Sequence, residues 1–212
     1  MNPVTEAVLS TRLVAIIRME RYVNAVKTAQ ALQAGGLRVL EYSLSGTGAL
    51  EAIAQARNAL DGEVFIGAGT ILNVKDAEDA FAAGAEFIVT PVLSVPVIEV
   101  CRKRGVPILC GGFTATEVYT AHQAGADLVK LFPARLGGPQ YVRDLLAPLP
   151  FLRLVPTGGV GAENARSYLE AGAAAVAVGG SLVSGRDAAE GDWAAVTAGA
   201  QALYQATNSS TF

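Results

Sequence analysis

Apolar runs of strand length alternate eight times with stretches of helical pattern, and few folds accommodate that alternation. The runs span Leu13–Arg18, Val39–Leu44, Val64–Ala68, Phe87–Thr90, Pro107–Cys110, Leu128–Phe132, Leu152–Pro156 and Ala175–Val178. Helices are expected between them over Arg21–Gln33, Thr47–Leu60, Val74–Ala83, Ser94–Arg104, Ala115–Ala124, Pro139–Leu146 and Ala162–Ala171, with a closing helix over Asp192–Ala206. Hydrophobicity within each run is continuous, so both faces of each strand are covered, as in a parallel sheet. Eight such units in series predict a (β/α)8 TIM barrel, one domain over residues 1–212. A doubly wound open sheet is the rival reading.

An internal repeat favours the barrel. Ala34-Gly35-Gly36, Ala83-Gly84-Ala85, Ala124-Gly125-Ala126 and Ala171-Gly172-Ala173 each end a helix before an even-numbered strand. Glycine suits the left-handed residue just past a helix C-terminus. Counted from Gly35, Gly84, Gly125 and Gly172, the repeat spans two strand–helix units each time.

The chain is 51% hydrophobic, enough for a sizeable core, yet no run is long enough to span a membrane. Residues 1–12 lack the basic-then-apolar layout of a secretory signal, so a cytoplasmic protein is expected. The net charge is −3 with Arg and Lys scattered, which argues against a nucleic-acid or lipid surface. Cys101 and Cys110 are expected as reduced, buried thiols, and His122 as a structural or solvent-facing helix residue. With one histidine and no ligand spacing, neither a metal site nor a Ser-His-Asp triad is expected.

Strand six carries a lysine at its centre, in Leu128-Val-Lys-Leu-Phe-Pro-Ala134. An isolated ammonium is not left in an apolar core, because desolvating the charge is costly. Burial favours the free amine, the form that attacks a carbonyl to make a Schiff base. The bland alternative is an edge strand with Lys130 facing solvent. Lys27, Lys75 and Lys103 all fall on helices with polar neighbours and read as solvated.

In such barrels chemistry sits at the C-terminal ends of the strands, and residues at strand starts serve stability. Glu63, Glu86 and Asp127 fall at strand starts, and Glu117 completes a capping box, Thr114-Ala-Thr-Glu117. Glu41 alone follows an apolar run at the active end. One amine and one carboxylate suit carbinolamine chemistry, with Lys130 as nucleophile and Glu41 moving protons.

Thr157-Gly158-Gly159-Val160 follows strand seven, and Gly179-Gly180-Ser181 follows strand eight and is expected to open a short helix. Bare backbone and helix-start N–H groups at this position favour a phosphate. Gly67-Ala-Gly69-Thr70 lacks the third glycine of a dinucleotide fingerprint, so it reads as a tight turn that brings the Thr70 hydroxyl to the pocket. Arg18, ending strand one, suits a carboxylate or phosphate.

These residues resemble the 2-keto-3-deoxy-6-phosphogluconate (KDPG) and 4-hydroxy-2-oxoglutarate (KHG) aldolase family over nearly the full length. The resemblance rests on Val14-Ala-Ile-Ile-Arg18, Leu40-Glu41, Gly67-Ala-Gly-Thr70, Phe87-Ile-Val-Thr-Pro91, Thr114-Ala-Thr-Glu117, Val129-Lys-Leu-Phe-Pro-Ala134, Pro156-Thr-Gly-Gly-Val160 and Val178-Gly-Gly-Ser181. It implies a class I aldolase with Lys130 as Schiff-base lysine and Glu41 as general acid/base. It places Thr70 and Pro91 around the pyruvyl carboxylate, Phe132 over the imine, and the two glycine loops on the phosphate. Metal independence and a homotrimer are also implied. The substrate would be a 2-keto-3-deoxy sugar acid, cleaved to pyruvate and an aldehyde. KDPG, with glyceraldehyde 3-phosphate as the aldehyde, is the first expectation; its galactonate counterpart and hydroxy-oxoglutarate are alternatives.

Two departures from the family pattern stand near the site. Where many members carry an arginine shortly after the glutamate, this chain has Leu44-Ser45-Gly46-Thr47, so a carboxylate grip is lost or moves to Arg18. Where a Pro-Gly pair commonly ends strand five, it has Cys110-Gly111-Gly112. More distant readings are a phosphate-binding barrel isomerase or synthase, which needs no strand-six lysine, and a non-catalytic sugar-phosphate binder.

Overall fold

The computed structural model describes residues 2–60, 62, 64–180, 182–183 and 191–208. Eight parallel strands alternate with helices: α1 (Pro3–Thr11), β1 (Leu13–Ile17), α2 (Ala25–Ala34), β2 (Val39–Ser43), α3 (Ala49–Ala59), β3 (Phe65–Gly69), α4 (Val74–Ala82), β4 (Ile88–Val89), α5 (Val95–Arg104), β5 (Ile108–Gly112), α6 (Ala115–Ala124), β6 (Leu128–Leu131), α7 (Gly138–Leu146), β7 (Leu154–Pro156), α8 (Ala165–Glu170), β8 (Val176–Val178) and α9 (Trp193–Asn208). Strand order runs β7-β6-β5-β4-β3-β2-β1-β8. A parallel bridge between Thr157 and Ala177, with the Ala174 N–H donating to the Leu154 carbonyl at 2.9 Å, brings the two ends of the sheet together. The result is a (β/α)8 barrel, as the alternation predicts.

Continuous hydrophobicity in the strands has a direct cause, since the two faces feed two separate cores. Outward residues such as Leu13, Ala15, Leu40, Tyr42, Ile66, Ile108, Val129 and Leu154 pack under the helices. Inward residues Val14, Ile16, Val39, Phe87, Val89, Leu109, Leu128, Val155, Ala175 and Ala177 fill the barrel. Val4 and Val8 of α1 join this inner core, so α1 plugs the end of the barrel where the strands begin. The alternation gave no sign of α1, because nothing strand-like precedes it. Locally it is well specified, with Pro3 at its first turn and the Asn2 side chain accepting from the Val4 N–H at 2.9 Å.

The repeated helix-end glycines adopt the left-handed conformation expected of them, with one shift of position. Gly36, Gly84, Gly125 and Gly172 have φ between 90° and 102°. In the first repeat the left-handed residue is therefore Gly36, and Gly35 serves a different need. A Cβ on Gly35 would stand 2.3 Å from the Ala200 Cβ, so its bareness lets α9 close against α2. Acids at strand starts do structural work. Glu86 accepts from the Ile66 N–H at 2.9 Å and pairs with Arg57, and Asp127 accepts from the Ile108 N–H at 3.0 Å. Glu63 lies outside the described residues, as do Ser181 and most of the helix expected after it.

Helix α2 begins at Ala25, four residues later than the pattern predicts. Arg21 instead bridges Thr47, and the Tyr22 N–H donates to the Thr47 carbonyl, so the chain there is extended along the loop after β2. Among the described residues no helix is long and apolar enough to cross a membrane. Cys101 and Cys110 are buried free thiols, and His122 is exposed on α6 beside the Phe151 ring.

Candidate active site

Period-two alternation puts Glu41 of β2 and Lys130 of β6 on the inner wall, at positions where other strands present Val, Leu or Gly. Both are buried, at 1% and 6% exposure, and Lys130 Nζ stands 3.9 Å from Glu41 Oε1. That separation is longer than a direct hydrogen bond, so the two groups attract without locking together. Lys27, Lys75 and Lys103 are exposed on helices, as expected.

Space for the pair is made by glycine. A Cβ on Gly69 would fall 1.8 Å from Glu41 Oε1, and one on Gly111 would fall 2.3 Å from the Pro91 carbonyl carbon. Gly111 is also the register partner of Lys130. Cys110 faces the outer core under the helices, so of the strand-five departure only Gly111 bears on the inner wall. Burial pushes the Glu41 carboxyl up from its ordinary value, against the opposing pull of Lys130 and Arg18. Its Oε2 is buried and finds no hydrogen-bond partner among the described residues. Such an orphaned acceptor is costly and marks a functional position.

A cavity of about 530 Å3 opens above the pair at the C-terminal ends of the strands. Every described residue singled out in the sequence lines it: Arg18, Glu41, Thr70, Pro91, Lys130, Phe132, Thr157, Gly158, Gly159, Gly179 and Gly180. Lys130 Nζ lies 5.6 Å from the centre of the Phe132 ring. Gly158 and Gly159 adopt φ of 87° and 79°, and a Cβ on Gly158 would stand 3.0 Å from Phe132. This loop is fastened by Asn164, whose Nδ2 donates to the Gly159 carbonyl and whose Oδ1 accepts from the Gly161 N–H.

Ser43, Ile16, Val160 and Glu163 also line the cavity and were not singled out. Ser43 was within reach of the alternation rule, since it lies two residues beyond Glu41 on the same strand. Its hydroxyl is 2.7 Å from that of Thr70 and 2.9 Å from that of Ser45, a chain of hydroxyls on the side of the pocket nearest Glu41. Thr70 holds its position with φ of 60°, unusual for a β-branched residue and a form of strain that collects at functional sites. Ser45, where a family arginine is common, thus joins a neutral network, and Arg18 is the cation lining the cavity on this side, close enough to act on the Glu41 carboxyl.

Comparison with known proteins agrees with this geometry. A family model described as KDPG and KHG aldolase matches residues 4–199. A 2-dehydro-3-deoxy-phosphogluconate aldolase of Treponema pallidum is 39% identical over 97% of this chain and 98% of its own. The solved 2-keto-3-deoxy-6-phospho-gluconate aldolase of Zymomonas mobilis superposes with a TM-score of 0.85 at 29% identity, covering 98% of this chain and 99% of that one. A KDPG aldolase of Legionella pneumophila, with pyruvate captured at low pH as a covalent carbinolamine, has a TM-score of 0.85 at 26% identity, covering 95% of this chain and 98% of that one. With the match running the length of the barrel, this chain belongs to the KDPG and KHG aldolase family, a family of lyases.

Proposed function

We propose that the chain is a one-domain class I aldolase that cleaves a 2-keto-3-deoxy sugar acid through a Schiff base on Lys130. The observation that carries this reading is the buried Lys130–Glu41 pair, 3.9 Å apart at the floor of the cavity. The Lys130 amine adds to the C2 ketone, and the resulting carbinolamine hydroxyl leaves as water after taking a proton from Glu41. A carboxyl raised by burial holds such a proton nearer to neutrality than an exposed one would. Glu41, now a carboxylate, accepts the C4 hydroxyl proton as the C3–C4 bond breaks. The bonding electrons pass into the protonated imine, and the aldehyde departs. Protonation of the enamine at C3 and hydrolysis of the imine release pyruvate and restore the amine.

The remaining roles are taken from the resemblance, and the cavity lining supports them. Arg18, Ser43, Thr70 and Pro91 take the carboxylate, and Phe132 packs over the imine. Thr157, Gly158, Gly159, Gly179, Gly180 and Ser181 take a terminal phosphate, Ser181 lying outside the described residues. KDPG is the substrate this set fits first, giving glyceraldehyde 3-phosphate beside pyruvate. The galactonate counterpart and hydroxy-oxoglutarate are the alternatives. A homotrimer that uses no metal completes the reading, on the strength of the resemblance.

Borohydride reduction in the presence of pyruvate tests the chemistry. It is expected to fix the pyruvyl group on Lys130, and Lys130→Ala is expected to remove both adduct and cleavage. No adduct, or an adduct on another lysine, refutes the reading. Pyruvate release from the three candidate substrates, compared under one condition, ranks them.

A further inference from the structure

The loop joining β1 to α2 carries Arg18 and is fastened to the loop after β2 in an unusual way. The Thr47 N–H donates to the Glu20 carbonyl at 2.9 Å, and the Tyr22 N–H donates to the Thr47 carbonyl at 3.1 Å. Gly46 permits the approach, since a Cβ there would stand 2.0 Å from the Met19 carbonyl oxygen. Beneath this zipper lies the half-buried Tyr22 side chain. Its phenol Oη is 2.8 Å from the Ile17 carbonyl and 2.8 Å from the Ser43 carbonyl, and its single proton is shared between the two oxygens. The ring rests on that of Tyr42, with centroids 5.6 Å apart. Burial above all, with a smaller push from the Glu41 charge, raises the phenol to about 12, so its proton stays in place across the physiological range.

Ile17 immediately precedes Arg18, and Ser43 carries the hydroxyl that meets Thr70. One phenol therefore ties the backbone of the cavity's cation to the backbone of its hydroxyl pair. Tyr22 itself does not line the cavity. Arginine carries a long, freely rotating side chain, so the aim of its guanidinium depends on how firmly the base of the stem is held.

We propose that Tyr22 is a positioning residue: by fixing Arg18 against the Ser43–Thr70 pair, it sets how tightly the substrate carboxylate is held. The inference rests on the aldolase reading above and adds to it a determinant outside the pocket. Its signature is a change in substrate binding with the chemical step preserved, because the phenol bonds β2 only at its last residue, two beyond Glu41, and the β2–β3 ladder that holds Glu41 does not depend on that bond.

The test is Tyr22→Phe, which keeps the ring on Tyr42 and removes only the hydroxyl. The rate of borohydride trapping on Lys130 is measured against pyruvate concentration. The half-saturating concentration is expected to rise about three- to tenfold, the scale of one lost hydrogen bond, while the limiting rate changes less than about twofold. In an Arg18→Ala background the same change is expected to add little. Gly46→Ala, which forces the two loops apart with the phenol intact, is expected to give the same signature should Tyr22→Phe fold poorly. A purely structural role would lower the melting temperature and leave half-saturation unmoved. That result, or full additivity with Arg18→Ala, overturns the proposal. If the unaltered protein traps no pyruvate on Lys130, the aldolase reading is what fails; if it traps and both variants match it, this inference is what fails.

Discussion

Glu41 is a carboxylate whose burial makes its charge costly to the fold. Its neutral form is favoured in the folded protein, because burial opposes ionisation more than Lys130 and Arg18 assist it. The folded protein therefore holds that proton to higher pH than the unfolded chain does. Stability from this source is complete below the ordinary carboxylate range and is lost as pH rises through the folded value. Glu41→Gln, neutral throughout, escapes that loss. We expect urea unfolding to show the variant and the unaltered protein alike at about pH 4, with the variant increasingly favoured as pH rises until Glu41 is ionised in both states. Cleavage by the variant is expected to fall by roughly 10²–10⁴-fold, the usual weight of a positioned proton donor and acceptor. A variant that loses activity and also loses stability with rising pH would mean that the Lys130 charge, and not desolvation, governs the site. At this scale much was legible: a lysine inside an apolar run and an acid ending one are both anomalies a sequence displays. Tyr22 was not, because its value lies in two carbonyls that only the closed barrel brings together.

Helices and strands were readable where their ends carry chemistry of their own. The Thr114 hydroxyl accepts from the Glu117 N–H at 3.3 Å, while Glu117 Oε2 accepts from the Thr114 N–H at 2.8 Å and from the Phe113 N–H at 3.1 Å. This is the capping box the sequence displays, and those backbone bonds hold the Glu117 carboxyl below the usual carboxylate range. Thr114→Ala is expected to cost about 1 kcal/mol in urea unfolding near neutral pH with kcat/KM unchanged. The part of this contribution carried by the Glu117 charge is present above the ordinary carboxylate range and fades as pH falls through its lowered value. A drop in kcat/KM would instead place the α6 start in the machinery. Element ends decided by tertiary contact were harder to read. The α2 start is displaced by the zipper with Thr47, and Gly35 is explained only by Ala200, far along the chain.

For the whole molecule, the division into two cores separates what holds the barrel closed from what it does. The inner core reaches up to the level of Glu41 and Lys130, whose register partners Ile16 and Val155 belong to it, and its lower end is sealed by Val4 and Val8 from α1. Conservatism of design follows the usual logic of this fold, with chemistry at the strand C-termini and stability at the strand starts. Val8 is fully buried, so Val8→Ala leaves a void among side chains that have no freedom to collapse around it. We expect a loss of roughly 1–3 kcal/mol in unfolding free energy from the missing methyl groups and the void together. At temperatures where the variant stays folded, the borohydride trapping rate on Lys130 is expected to match that of the unaltered protein. The two readouts separate because the plug and Lys130 lie at opposite ends of the inner core, joined by packed apolar side chains. If Val8→Ala slowed trapping while barely shifting the urea midpoint, α1 would be coupled to the floor of the site, and the two ends of the barrel would have to be treated as one unit.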